Sequence, residues 1–468
     1  MAPRHRRRRA AALGLVCGVV VAACTDGEAQ APTTTWTPVE TVAPRPVELP
    51  EVVDPEPLPP PAPPQVVEPE TDPTTLFVSP LLGDDANDGQ TPDQPWASLA
   101  TALTRVEPGS TLHLMTGVYD EVSEPRAAHY VIDTDGTVDD PIRITAAPGA
   151  QPVIVATEGN AIEVRADHVE VSGLEVQGRG FDQENAYGWG IFVHDAHHVA
   201  VTGNRISAMA VGGITSIRSS NLAIVDNEVF DNAFWGSEQG SGISLWRSED
   251  HGLGPDEEGY HDRIVGNRVY RNENKVYSRW HTDRPTIANG NGIIIDTSDG
   301  TGYPGRVLVA NNVVFDNGGR AVLVLDASQV DIVHNTTFRN GRTADLDGGR
   351  AEIAARRARE VRVLNNLVWA LPGVPAVTVG ESTLVELGGN VLVTDAGPGP
   401  ASALDLVVDG DPGLRNPSVD PSTADLRPLA YSIARGRALA TNPSVTSDVD
   451  GRDRPFDGAT AGAYEWVE

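Results

Sequence analysis

Of the 35 basic residues in this 468-residue chain, 34 are Arg and one, Lys275, is Lys. Arg stays protonated near neutral pH, whereas a Lys desolvated among other cations can be neutral and act as a general base. Lys275 is therefore either a base that Arg could not replace or a survivor of an Arg-biased composition. It lies in the stretch Asn272-Glu273-Asn274-Lys275-Val276-Tyr277-Ser278-Arg279-Trp280-His281. Four of the eight tryptophans, Trp189, Trp235, Trp246 and Trp280, fall within 92 residues around it. The carboxylates Asp231, Glu238 and Asp296 accompany them. Aromatic faces beside hydrogen-bonding carboxylates suit pyranose rings, whose C–H faces pack on an aromatic plane while their hydroxyls need polar partners. The same rings could instead fill a small core of their own.

The elements that must position these groups are repeats. Gly292 to Asn317 contains three short β segments, Ile293–Ile295, Val307–Val309 and Val313–Phe315, separated by turn formers. The pattern V/I-x-x-N recurs with its Asn at 204, 227, 267, 312, 335, 366 and 390, and Leu174 is an earlier variant without Asn. Steps of 30, 23, 40, 45, 23, 31 and 24 residues give a bare period near 23, which suits one coil of a parallel solenoid. Stacked coils would set each Asn above the last at about 4.8 Å. A second series, Asn232, Asn272, Asn317 and Asn340, predicts a second structural ladder.

Two adjacent steps are oversized, and their extra residues, Ser248–Tyr260 and Glu273–Asn289, flank the same strand position and predict two loops rimming one sheet. Strand alternation places Ile243, Leu245, Ile293 and Ile295 inward. The outward column is then His194, Ile217, Trp246, Asp296 and Leu325, with Arg218, Arg247, Thr297 and Asp326 one residue further along. Trp246, Asp296 and Arg247 are expected to be neighbours.

Residues 1–24 read as a targeting segment. A basic start, Arg4 and Arg6–Arg9, precedes the apolar run Ala10–Ala23, which is shorter than the roughly 20 residues of a membrane span. Its end, Val21-Ala22-Ala23-Cys24, resembles the bacterial lipobox, implying cleavage before Cys24, acylation of its thiol and an extracytoplasmic, lipid-anchored protein at the cell surface. Cys17 would leave with the signal, so no disulfide framework is expected. Residues 25–75 hold 14 of 36 prolines and ten acids against one Arg, an extended spacer that could reach about 150 Å. The net charge of −30 does not suit nucleic acid or an anionic membrane face. The loop Gly83–Gly89 misses the EF-hand spacing and reads as a turn.

The globular part begins at Leu76, and Leu99, Ala102, Leu103 and Val106 share one face of a helix predicted over Trp96–Val106. This opening, and the ending Asp448-Val449-Asp450-Gly451-Arg452 through Gly462-Ala463-Tyr464-Glu465-Trp466, resemble the two ends of secreted bacterial right-handed β-helix proteins. The fold expected is all-β: a single right-handed parallel β-helix over 76–430, a short N-terminal capping helix, and an irregular tail, 431–468, packing on the solenoid. Monomeric behaviour is expected.

With its Asn ladders and a Lys in a loop over an acidic face, the chain resembles the pectate-lyase-like superfamily, nearest its lysine-base, calcium-dependent branch. That resemblance implies β-elimination on an anionic, uronic-acid-containing polysaccharide. It implies Lys275 as base, Asp231, Glu238 and Asp296 as Ca²⁺ ligands, Arg247 or Arg279 gripping a carboxylate, and His281 or Tyr277 assisting the leaving group. Trp189, Trp235, Trp246, Trp280 and His194 complete the expected sugar site. A tight Asp cluster before the lysine, part of that branch's pattern, is missing. Two other functions stay open: a glycoside hydrolase using Glu238 and Asp296 as acid and base, and a non-catalytic carbohydrate-binding or adhesive protein.

Overall fold

The computed structural model describes residues 74–467 apart from 123–127, 183–185, 281–283, 398 and 441–444. Cys24, the spacer up to residue 73 and His281 lie outside the described residues.

Each coil is too short to bury its own apolar face, so it is stable only with another coil above and below it. One coil contributes Ile293–Asp296, Val307–Ala310 and Val313–Phe315, and every such segment pairs in parallel with its counterparts on neighbouring coils. Among the described residues this builds three long sheets. The first has eleven strands from Thr75–Val78 to Thr383–Gly388, and the second has nine from Ala128–Ile132 to Val377–Gly380. The third has eleven, from Gly117–Tyr119 to Leu406–Val408. The molecule is a right-handed parallel β-helix. Alternation along the second sheet sends Ile243, Leu245, Ile293, Ile295, Val322 and Val324 into the interior, where each is at most 1 % exposed.

The Asn columns form as the spacing predicts. Asn312 Oδ1 accepts both the backbone N–H and the Nδ2–H of Asn267, each at 2.9 Å, and the same two groups of Asn312 donate to Asn335 Oδ1 at 3.0 and 2.9 Å. A further Nδ2 bond reaches Ile264 O at 2.8 Å. The column starts where Leu174 N donates to Asn204 Oδ1 and ends on the Asp405 carboxylate. The second column runs from Asn232 to Asn340 and closes on buried Glu352, whose oxygens accept from Asn340 N and Nδ2 at 2.7 Å each. Burial pushes the Glu352 carboxyl up to about 7. Each turn needs a left-handed residue just before its Asn. Asp226, Asn311, His334 and Asn365 supply it at φ 55 to 59°, and glycines do so at 203, 266 and 389.

The N-terminal helix is shorter than predicted, spanning Leu99–Leu103 with Ser98 as N-cap. Ser98 Oγ accepts from Thr101 N, and Thr104 Oγ1 takes the Thr101 carbonyl, ending the helix before Val106. Leu99, Ala102, Leu103, Trp96 and Val106 still join the main core. The tail lies along the third sheet: Ala461, Ala463 and Tyr464 pack with Phe315, Phe338 and Leu367. Gly462 N donates to Asn365 O, Ala463 N to Thr336 Oγ1, and Arg454 Nη2 to Asn311 Oδ1.

Substituting Asn312→Ala leaves the Asn267 backbone N–H without its acceptor and removes the amide donor to Asn335 Oδ1 and Ile264 O in a dry column. We predict a loss of about 2–4 kcal/mol, read from the denaturant midpoint. Asn390→Ala, at the column's end, should cost less, and equal losses at both sites would contradict a cooperative column.

Candidate functional site

Register along the second sheet sets His194, Ile217, Trp246, Asp296 and Leu325 in one outward column, as alternation predicts, and Arg356 continues it. Over the middle of this column lies a cavity of about 690 Å³. Trp246 and Asp296 come from the sheet itself, and Arg247 follows Trp246. Ser278, Trp280, Ala288 and Asn289 overhang from the 273–289 loop. Trp189 walls one end, stacked on Phe192 at 4.8 Å and met edge-on by Tyr187 at 5.1 Å.

The expectation of two loops over one wall needs correction. Ser278, Trp280, Ala288 and Asn289 of the second insertion line the pocket, but 248–260 turn the corner from the second sheet to the first. There Tyr260 is buried with its hydroxyl on Asp331 Oδ2 at 2.9 Å, and Asp256 binds Arg263. The remaining wall comes from two further segments: the turn carrying the expected Glu238 with Gln239 and Gly240, and the loop carrying Asp347, which was not anticipated. The 31-residue step between Asn335 and Asn366 was the available signal for the second of these.

The pocket holds two carboxyls in different surroundings. Asp296 is pushed up to about 6, chiefly by burial, with Thr297 Oγ1 donating to its Oδ1 and Arg357 opposing the shift. Glu238 is also raised by burial, but Arg279 Nη1 sits 2.6 Å from its Oε1 and pulls back toward the ionised form. Arg247, Arg356 and Arg357 line the same cavity, and Arg357 is held by a bidentate pair with Asp326.

Of the residues singled out from the sequence, Trp189, Trp246, Trp280, Arg247, Glu238 and Asp296 line the cavity, and Arg279 touches it through Glu238. Lys275 does not. Along 272–278 the backbone alternates, burying Asn272, Asn274, Val276 and Ser278 and turning Lys275 and Tyr277 to solvent. The Lys275 ammonium rests 3.9 Å above the Phe234 ring, an exposed cation on an aromatic face rather than a desolvated base. Trp235 is half-buried outside the cavity, its backbone N–H donated to Ala210 O. His194 leaves the site because its Nε2 lies 3.0 Å from Asp195 and its ring packs on Phe192.

The three proposed Ca²⁺ ligands do not converge. Asp231 occupies the left-handed turn position before Asn232, at the end of a third-sheet strand, and binds Arg271 Nη2 at 2.5 Å. Calcium takes six to eight hard oxygens. Here Glu238 is engaged by Arg279, Asp347 pairs with Arg284, and three guanidinium groups share the cavity, so these residues do not fit the ion.

Residues 76–254 match the family model described as Pel9A-like, right handed beta helix region. The chain carries a right-handed parallel β-helix, and its first half is what that model matches. Among solved structures, this β-helix is similar to pectate lyase Pel9A, with 17 % identity, 84 % of this chain and 96 % of that chain covered, and a TM-score of 0.43. It is also similar to XylC in complex with xylose (10 % identity, 84 % and 98 % covered, TM-score 0.44). A third is the GH136 lacto-N-biosidase from Eubacterium ramulus (15 % identity, 71 % and 65 % covered, TM-score 0.43). No curated protein matches the β-helix chain. At these identities no residue role passes from those proteins to this one.

The raised Asp296 carboxyl gives a signed stability test. A folded pKa of about 6 against the ordinary 3.8 means that this group favours the fold fully below pH 3.8 and loses that contribution as pH rises through about 6. Asp296→Asn removes the loss, so its melting temperature should gain on the parent between pH 4 and 7. A gap that stays constant with pH would show that Asp296 is not held in its proton-bearing form.

Proposed function

We propose that this β-helix protein binds a pyranose unit of an anionic polysaccharide in the cavity over its second sheet. Asp296 and Glu238 then act on the glycosidic bond. The observation that carries this reading is the meeting, in one cavity, of two burial-raised carboxyls with Trp189, Trp246 and Trp280. Indole faces supply the apolar contact a sugar ring needs, and paired carboxyls in unlike settings divide acid and carboxylate roles. Asp296, with no guanidinium pairing of its own and a pKa near 6, is the proton donor to the leaving oxygen. Glu238, held by Arg279, is the carboxylate that activates water or attacks the anomeric carbon. The match of residues 76–254 to a Pel9A-like β-helix is consistent with a carbohydrate ligand.

A second reading, β-elimination on a uronic acid, draws on Arg247 and Arg356, whose guanidinium groups in the same cavity can neutralise a substrate carboxylate. Its expected base, Lys275, stands outside the cavity, and this ranks elimination below hydrolysis. We further propose, from the segment ending at Cys24, that the protein acts outside the cytoplasmic membrane on a lipid anchor and a long acidic spacer.

Acidic polysaccharides such as pectate, alginate and glycosaminoglycans, incubated with the protein, separate the readings. Hydrolysis yields reducing ends alone, elimination adds ultraviolet absorbance from the new double bond, and a binder yields neither. We expect reducing ends without absorbance and a rate that falls as pH rises above about 6, where Asp296 gives up its proton. Asp296→Asn should lower the rate at least about 100-fold, the usual scale for removing a general acid. Lys275→Ala should leave it unchanged. Full activity in Asp296→Asn, or its loss in Lys275→Ala, would overturn these assignments.

A further inference from the structure

A cluster of imidazoles stands at the corner between the second and first sheets, on coils that precede the cavity. Pairing of Val169 with Val199 sets His168 directly beneath His198 on adjacent coils, and both take the left-handed turn conformation at φ 54°. Their rings stack 4.7 Å apart at 15°. His197 meets both edge-on, at 5.4 and 5.2 Å. One ring nitrogen from each of the three lies within 4.8 Å of the others; His168 and His197 are half-buried and His198 is the most exposed. The Nδ1 atoms of His197 and His198 are 3.0 Å apart, close to the edge of about 3.4 Å in a tetrahedron with metal–nitrogen bonds of 2.0–2.1 Å.

The orientation of His197 is itself built. Its Nε2 is 2.9 Å from Asp167 Oδ2, while Asp167 Oδ1 accepts the His197 backbone N–H at 2.8 Å and Asp167 N is fixed by Asp135. A carboxylate on Nε2 keeps the proton there and leaves the Nδ1 lone pair facing its partners, the arrangement that orients histidines toward metal ions. The ring of His251, from the 248–260 loop, stands 5.4 Å from the His197 ring, with its Nε2 3.1 Å from Arg218 O.

We propose that His168, His197 and His198 form a binding site for one divalent transition-metal ion of the zinc class, with Asp167 positioning His197. Three imidazole nitrogens select borderline ions such as Zn²⁺ or Co²⁺ over Ca²⁺, which takes oxygen. The ion would join two successive coils at a corner that hydrogen bonds alone now hold, so it acts as a staple for the early β-helix. It is independent of the sugar-binding reading.

The test uses the full, untagged chain, stripped with chelator and titrated calorimetrically with Zn²⁺, with Co²⁺ followed by visible absorption. One equivalent should bind, Co²⁺ should give the intense bands of a tetrahedral site, and the melting temperature should rise with bound metal. The double variant His168→Asn, His198→Asn keeps residues that tolerate the left-handed turn, and it should bind at least about tenfold more weakly, with Asp167→Asn weaker by about 10–100-fold. His261→Gln, away from the cluster, should bind as the parent does. Were the double variant unable to fold, X-ray absorption on the parent with Zn²⁺ would decide: three imidazoles in the first shell support the site. A first shell without three imidazoles, no saturable binding to the parent, or undiminished binding in the folded double variant would overturn it.

Discussion

From Asn204 onward, the rungs of this molecule depend on an amide dipole repeated at one position per coil. An Asn at the turn offers one oxygen to two donors of the coil before it and two donors to the coil after it, so each residue satisfies the turn of its neighbour as well as its own. The three-residue strands of the third sheet could not hold register by their own ladder bonds and small apolar faces. The columns fix that register, and with it the outward order Trp246, Asp296, Arg356. Where an Asn column runs out, a carboxylate of this chain takes the last donors, Asp405 in one case and Glu352 in the other. A carboxylate can do so because it accepts at both oxygens, while a further amide would need a partner of its own.

A scaffold held this way tolerates long excursions, because a loop between two strands leaves the column intact. The cavity exploits that freedom. Its floor is sheet and its walls are turns from three coils, carrying Glu238, Trp280 and Asp347, with the short turn before Val322 between the last two. Rigidity below and length above put indoles and carboxyls at fixed heights over one another. Burial under those walls, more than any neighbouring charge, raises the Asp296 carboxyl to about 6. The cavity's cations are not equivalent: Arg357 is committed to Asp326, while Arg247 and Arg356 line the space in which the proposed sugar would sit.

Much of this was legible from residue spacing because the period of the chain and the period of the structure are the same quantity. Asn-to-Asn distances gave the coils, and alternation within Ile293–Asp296 and its counterparts gave the outward column residue by residue. Loop direction was not legible. Whether 248–260 folds over the second sheet or around its edge depends on where Tyr260 finds a buried partner, and that partner, Asp331, lies 71 residues away. Lys275 misled for a related reason: its rarity is a property of composition, while its exposure is set by the alternating phase of 272–278, pinned by Asn274 Nδ2 on Ala233 O. Asp231 likewise read as a free carboxylate although every position before a ladder Asn is a turn position. The histidine cluster, built from residues 30 apart in sequence, emerges only once Val169 is known to pair with Val199.

A crystal structure of the protein soaked with an acidic oligosaccharide would show the ligand's position outright. A pyranose ring should lie on Trp246 or Trp280 with its glycosidic oxygen in hydrogen-bond reach of Asp296 and its carboxylate on Arg247 or Arg356. A sugar bound on the first or third sheet, with this cavity left to solvent, would contradict the proposed site.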